Sequence, residues 1–361
     1  MQPLLTTIPA DVVAVADYEA LARERMTPEA WAYISGGGAD ELTLRWNREA
    51  FDRIRLRSRV LGGFTGGGHT RLSLFGRTCE HPILLAPVAL HTLVHPDGER
   101  ATVLGAAATQ ATMIVSTQAG VALEDVARGA EGAPLWFQLY IQPDRAFTEA
   151  LVRRAEAAGY EALVVTVDAP VNGMRNREQR AQFRQPPGVE MVNLRGCRPA
   201  EMPAAGLCGG LMALAPTWSD LAWLRSLTRL PIILKGIMDA GDVARAIEAG
   251  VDGIVVSNHG GRTLDTLPAT IEVLPLIVDA VGGRLPVLLD SGVRRGTDVL
   301  KAMALGATAV LVGRPYIYGL AAAGAPGVAH VVRILRAELE VAMALTGCAT
   351  PADIDRSVLW E

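Results

Sequence analysis

The residues S-N-H-G-G-R (Ser257–Arg262) follow the apolar run G-I-V-V and combine an imidazole, a guanidinium and two glycines. An imidazole titrates near neutral pH and suits proton transfer. A guanidinium forks a carboxylate, and glycine lets backbone come close to a ligand. A histidine after a strand often only hydrogen-bonds its own turn, but Gly260, Gly261 and Arg262 turn this one toward a site that holds an acid and removes a proton. Lys235 closes the run I-I-L-K, where a solvated lysine would be out of place. Asp168, ending A-L-V-V-T-V-D, reads either as a partner for such a group or as the cap of the next helix. D-S-G-V-R-R-G (Asp290–Gly296) and G-R-P (Gly313–Pro315) place glycines and arginines after two more apolar runs, as phosphate-binding turns do. No G-x-G-x-x-G or G-x-x-x-x-G-K-[ST] follows a strand, so neither a nicotinamide-binding domain nor a P-loop is expected.

These groups need elements to gather them. Eight apolar runs do so: Ile83–Pro87, Met113–Thr117, Leu135–Tyr140, Ala162–Asp168, Ile232–Gly236, Gly253–Asn258, Pro286–Ser291 and Ala309–Arg314. Most are continuously apolar, as parallel strands covered on both faces must be. Helical stretches lie between them: F-T-E-A-L-V-R-R-A-E-A-A-G, D-A-G-D-V-A-R-A-I-E-A-G and G-T-D-V-L-K-A-M-A-L-G-A each end near a glycine. Asp239 and Thr297 are placed to open two of them. The alternation predicts an α/β fold, a (β/α)8 TIM barrel whose site sits at the C-terminal strand ends. Those ends supply Ala89, Ser116, Gln138, Tyr140, Thr166, Asp168, Lys235, Ser257, His259, Asp290, Arg294, Gly313 and Arg314. A single domain over 1–361 is expected, with an N-terminal helical segment (1–80), the barrel (81–350) and an insertion after strand 4 (172–217). The insertion is rich in Pro, Gly and Arg and is expected to act as a lid that is mobile without ligand.

Composition narrows the class. Of 361 residues half are hydrophobic and 20% charged, with a net charge of −4 and no basic stripe, which argues against a nucleic-acid partner. Cys79, Cys197, Cys208 and Cys348 form no C-x-x-C and no metal-type spacing with histidine, so a reducing cytoplasm and no metal are expected. The N-terminus lacks the basic region of a signal peptide. The longest apolar stretches, I-L-L-A-P-V-A-L and Y-I-Y-G-L-A-A-A-G-A-P-G-V-A-H-V-V, are short or broken by Gly, Pro and His, so no membrane span is expected.

The motifs A-P-V-A (Ala86–Ala89), H-P-D-G-E (His95–Glu99), F-Q-L-Y (Phe137–Tyr140), T-V-D-A-P (Thr166–Pro170), L-K-G (Leu234–Gly236), S-N-H-G-G-R-T-L-D, D-S-G-V-R-R-G-T-D and G-R-P occur in this order over almost the whole chain. In them the sequence resembles the FMN-dependent α-hydroxy-acid oxidase and dehydrogenase family, of the glycolate oxidase and lactate oxidase type. The resemblance implies FMN as cofactor, with Pro87, Val88, Ala89, Ser116, Gln138, Thr166, Lys235 and Ser257 lining its ring and ribityl chain. Asp290, Ser291, Gly292, Arg294, Gly313 and Arg314 would hold the ribityl and phosphate end. Tyr33, Arg175 and Arg262 would fix a substrate carboxylate, Tyr140 would meet the hydroxyl or the carboxylate network, and His259 would be the base, oriented by Asp168. Lys235 would stabilise the reduced ring. Whether the hydroxyl proton or the Cα proton is taken stays open.

The implied reaction is oxidation of an (S)-2-hydroxy acid, lactate-like or otherwise short or aromatic, to the 2-keto acid, with O2 reduced to H2O2. A dehydrogenase passing electrons to a quinone or a protein is the alternative. A non-catalytic flavin barrel or a phosphate-ligand isomerase would not need His259, Arg262 and Tyr33 together. The resemblance further implies a homotetramer or octamer. Three positions depart from the common pattern: Ser291 stands for a glycine and would add a hydroxyl at the phosphate end or crowd it, Gln118 stands where glycolate oxidase has a tryptophan, and Met174 replaces the first of two arginines. Leu90, Gln118 and the insertion are expected to set the pocket size.

Overall fold

A computed structural model describes residues 2–62, 64, 66–198 and 210–360. Three helices come first: α1 (Asp17–Arg25), α2 (Pro28–Ser35) and α3 (Leu42–Arg53). The barrel strands and helices then alternate as β1 (Ile83–Leu85), α4 (Gly98–Ala107), β2 (Met113–Ser116), α5 (Leu123–Arg128), β3 (Leu135–Leu139), α6 (Arg145–Ala157) and β4 (Ala162–Thr166). After α7 (Asn176–Arg180) and α8 (Trp218–Leu227) follow β5 (Ile232–Ile237), α9 (Ala240–Glu248), β6 (Gly253–Val256), α10 (Thr270–Val281), β7 (Val287–Leu289), α11 (Gly296–Ala304), β8 (Ala309–Val312) and α12 (Arg314–Thr346). The eight strands form one closed parallel barrel, β8 pairing with β1 through Val310–Ile83, Leu311–Leu84 and Val312–Leu85. The expected (β/α)8 barrel is therefore observed.

The uninterrupted apolar character of the strands follows from two cores. Inside the ring Leu84, Ile114, Trp136, Val164, Ile233, Val255, Leu288 and Leu311 pack together. Outside it Leu85, Val115, Phe137, Val165, Leu234, Ile254 and Leu289 pack under the helices. Each such side chain contributes roughly 1.5–3 kcal/mol by burial. A hairpin of Leu72–Leu74 and Arg77–Cys79 closes the far end of the ring, Phe75 meeting Trp136 edge to face at 5.4 Å. The open end is left for a ligand.

The helix boundaries have local causes. Asp144 accepts from the Phe147 N–H and Asp239 from the Gly241 N–H, capping α6 and α9. Gly159, Gly250 and Gly306, just past α6, α9 and α11, all take positive φ. Thr297 lies in the first turn of α11 as expected, and Asp298 caps that turn, accepting from the backbone N–H groups of Arg294 and Arg295. The apolar stretch near the C-terminus belongs to α12, long and apolar enough to cross a membrane by composition, yet 78% of its most apolar window is buried. It breaks helical geometry at Ala323 and Gly324 and serves as a core helix against α1, α4 and α11. Among the described cysteines, Cys79, Cys197 and Cys348 are free thiols; Cys208 lies outside the described residues.

Candidate active site

Ser257 follows β6, and after Asn258 three successive residues take left-handed backbone: His259 at φ 57°, Gly260 at 67° and Gly261 at 71°. A Cβ on Gly260 would lie 2.8 Å from Arg314 Nη1, and one on Gly261 would lie 2.7 Å from the Leu44 amide. Only glycine lets the loop turn there while α3 and Arg314 close on it. The turn presents His259 to Asp168, with Nδ1 2.9 Å from Oδ1. A carboxylate only accepts, so Nδ1 carries the proton and Nε2 is left for the cavity. Asp168 is thus an orienting partner and not a helix cap. Its close approach needs Gly236, at φ 113° in a bulge between Lys235 and Ile237, since a Cβ there would lie 2.5 Å from Asp168 Cβ.

Charges around this pair are compensated. Burial acts to raise the Asp168 carboxyl, but His259 and Lys235 outweigh it and hold it below the ordinary value. Lys235 is buried, donates to Ser257 Oγ at 2.8 Å and pairs with Asp290 Oδ2 at 3.0 Å. Burial works against its charge, yet Asp290 and Asp168 raise its pKa and keep it an ammonium. Tyr140 is pushed up to about 12 by burial, against the pull of Lys235, and stays a neutral hydroxyl.

The ends of β7 and β8 form a cationic corner. Arg314 donates only to carbonyls, those of Ile34 at 3.1 Å, Gly260 at 3.0 Å and Gly36 at 2.7 Å. Burial, with Arg262 and Arg294 nearby, pushes its guanidinium down to about 9. Arg294 donates to the Val293 carbonyl at 2.8 Å and is lowered by burial too. Two half-buried guanidiniums that face a cavity without a carboxylate partner mark an anion site, beside the first turn of α12.

The substrate-side arginines meet across the insertion. Arg262 donates to the carbonyls of Tyr33 at 2.6 Å and Gly36 at 3.0 Å, and its guanidinium lies 5.1 Å from the centre of the Tyr33 ring. Phe183 also stacks on Tyr33, with ring centres 4.6 Å apart. Arg262 and Arg175 both donate to Glu178 of α7, at 3.1 and 3.4 Å. The insertion is therefore not uniformly loose. Its α7 end is tied to α2 through Arg177, which bonds Ser35 and Glu41. Buried Asn193 accepts from the Leu123 amide at 3.0 Å. Residues 199–209 of the expected lid lie outside the described residues.

One cavity of about 620 Å³ joins all of this, within the usual range for a cofactor-sized ligand. Every residue expected at the site lines it except Asp168 and Ser257, which stand behind it and hold His259 and Lys235. One expectation is corrected. Leu90 does not set pocket size, being buried in a left-handed turn outside the lining. The Ser291 hydroxyl donates to Asp290 Oδ1 at 2.7 Å and accepts from the Gly260 N–H at 2.9 Å, linking two loops. Asp290 pairs with Lys235, and both Asp290 and Ser291 line the cavity. Glu178, Asn47 and Arg48 escaped the sequence reading; none stands at a strand end.

The comparisons with known proteins agree with this geometry. Residues 22–361 match the FMN-dependent dehydrogenase family, and the chain belongs to that family. It is 48% identical over 353 residues to L-lactate oxidase of Nostoc sp., covering 95% of this chain and 96% of the relative. It is 42% identical to glycolate oxidase 1 of Oryza sativa subsp. japonica, covering 97% of this chain and 96% of the relative. The structure of mandelate oxidase with benzoyl-formic acid superposes with a TM-score of 0.87 at 41% identity, over 96% of this chain and 98% of that one. The residues fit FMN. Arg294 and Arg314 offer an anion corner, Lys235 a buried cation, and Gln138 a buried Nε2 with no protein partner while its Oε1 accepts from Ser116 and Thr117.

Proposed function

We propose that this chain oxidises short (S)-2-hydroxy monocarboxylic acids, lactate foremost, to 2-keto acids. Bound FMN supplies a two-electron acceptor that O2 reoxidises, yielding hydrogen peroxide. One arrangement carries this reading: an imidazole nitrogen, oriented by a buried carboxylate, faces the same cavity as two arginines and a buried lysine. Arg175, Arg262 and the Tyr33 hydroxyl fix the acid, so that the proton transfer becomes effectively intramolecular. Nε2 of His259 takes the proton, and Asp168 stabilises the resulting imidazolium as a triad carboxylate does. Tyr140, neutral at working pH, donates to the substrate. Ser116, Gln138, Thr166 and Lys235 would hold the flavin ring, and Gly292, Arg294, Gly313 and Arg314 its phosphate.

Relatives named L-lactate oxidase at 46–48% identity favour lactate and O2. The remaining wall of the cavity, with Gln118, Met191, Leu194 and Leu214, suits a small side chain. Anaerobic mixing of the FMN-loaded protein with (S)-lactate, glycolate, (S)-mandelate and a long-chain 2-hydroxy acid tests this. Lactate should bleach the flavin fastest, and air should restore it with peroxide formed. No bleaching by any of the four refutes the reading; restoration by a quinone analogue but not by air refutes the oxidase assignment. We also infer a homotetramer, supported by exposed Val60, Leu61, Phe64 and Leu345 near one end of α12, and a cytoplasmic setting, which suits the free thiols. Light scattering on the purified protein checks the former.

A further inference from the structure

Glu178 is a carboxylate inside an anion site. Its Oε1 accepts from Arg262 Nη2 at 3.1 Å and Arg175 Nη1 at 3.4 Å, its side chain is 15% exposed, and it lines the cavity. Neither guanidinium is exhausted by it. Arg262 spends Nη1 on the Tyr33 and Gly36 carbonyls, while Arg175 keeps a buried Nε with no partner. Elsewhere in the cavity Lys235 is paired with Asp290, and the Asp168 carboxylate stands behind the lining, turned onto the His259 Nδ1–H. Arg294 and Arg314 serve the separate anion corner. The substrate wall is left with two cations and one anion, a surplus of one positive charge.

We propose that Glu178 is a specificity residue that limits this wall to one substrate carboxylate and turns away 2-hydroxy diacids. The proposal rests on the 2-hydroxy-acid reading of the site. A single carboxylate is neutralised by the surplus charge. A second one enters a mostly buried region where it meets Glu178 instead of a cation, and an unpaired buried charge is costly. Glu178 also holds the two guanidiniums together against their mutual repulsion, with the donors left over directed to the substrate.

The test compares the FMN-bound wild type with Glu178→Gln, which keeps an acceptor oxygen and removes the charge. Two readouts are used: kcat/KM for (S)-lactate and (S)-malate, and binding of propionate and malonate seen as a perturbation of the flavin spectrum. The wild type is expected to prefer lactate to malate and to bind propionate at least as well as malonate. In Glu178→Gln the malate-to-lactate and malonate-to-propionate ratios should each rise about tenfold or more, the effect of deleting one nearby like charge, and Glu178→Asp should keep both low. Unchanged ratios in Glu178→Gln, or tighter malonate than propionate binding by the wild type, overturn the proposal. If no hydroxy acid is turned over, the oxidase reading falls, while the propionate and malonate comparison still decides the role of Glu178. If Glu178→Gln does not retain FMN, the wild-type order of the two anions decides it alone.

Discussion

Replacing Asp168 by asparagine tests two consequences of its 2.9 Å contact with His259. An amide can donate to Nδ1, which moves the proton to Nε2 and leaves His259 unable to accept another. Turnover should fall by about 10³–10⁴-fold; His259→Ala should lose about 10²–10⁴-fold, both with the bound-flavin spectrum retained. A variant within tenfold of wild type would remove His259 from the role of base. The second consequence concerns acid stability. The folded Asp168 carboxyl titrates below its ordinary value, since His259 and Lys235 outweigh burial. Its pairing therefore stabilises the fold fully above about pH 4 and less as pH falls through the folded value. The Tm gap between wild type and Asp168→Asn should be widest at neutral pH and shrink toward pH 3, as melting curves would record. His259, Arg262 and Lys235 were legible because each interrupts or ends an apolar run. Glu178 was not, because it sits among arginines in the insertion, away from any strand end, and only folding shows which two it touches.

Helix α3 ties two active loops together without lining the cavity. Asn47 and Asn258, both buried, exchange amide hydrogen bonds at 2.9 and 2.8 Å, and Asn47 Oδ1 also accepts from the Thr270 amide. The next residue, Arg48, pairs with Asp298 at 2.6 Å and bonds the Gly292 carbonyl. One residue thus anchors the His259 loop and its neighbour the Gly292–Arg295 loop. Asn47→Ala, which strands buried polar groups at about 1–3 kcal/mol, should lower kcat while FMN stays bound. Arg48→Ala should weaken FMN binding about tenfold, equivalent to 1.4 kcal/mol, with little change in KM for lactate. Flavin fluorescence titration and steady-state kinetics separate the two, and identical effects from both variants would contradict the division of labour. The sequence placed this region in an N-terminal helical segment but did not show this duty, since its partners lie 211 and 250 residues away. The barrel strands were legible for the opposite reason: burial on both faces writes itself into each run locally.

At the scale of the whole molecule the C-terminal residues return to the segment that follows α3. Arg55 and Leu56 pair antiparallel with Trp360 and Leu359, and Val358 is buried beside them. Nothing local in the sequence announces this return, because two-residue strands carry no periodicity. Removing residues 357–361 exposes the contacts of Val358, worth roughly 1.5–3 kcal/mol. Tm should fall by about 2–4 °C, while turnover by the FMN-loaded protein at room temperature stays within about twofold, as the clasp is remote from the cavity; an unchanged Tm would deny it any stabilising part. The pairing of β1 with β8 has a consequence in time. During synthesis the first stave emerges long before its last neighbour, and its edge stays open until β8 clears the ribosome. Flavin capture then has to wait for β8. A nascent chain stalled ahead of Ala309 should stay colourless, however much FMN surrounds it.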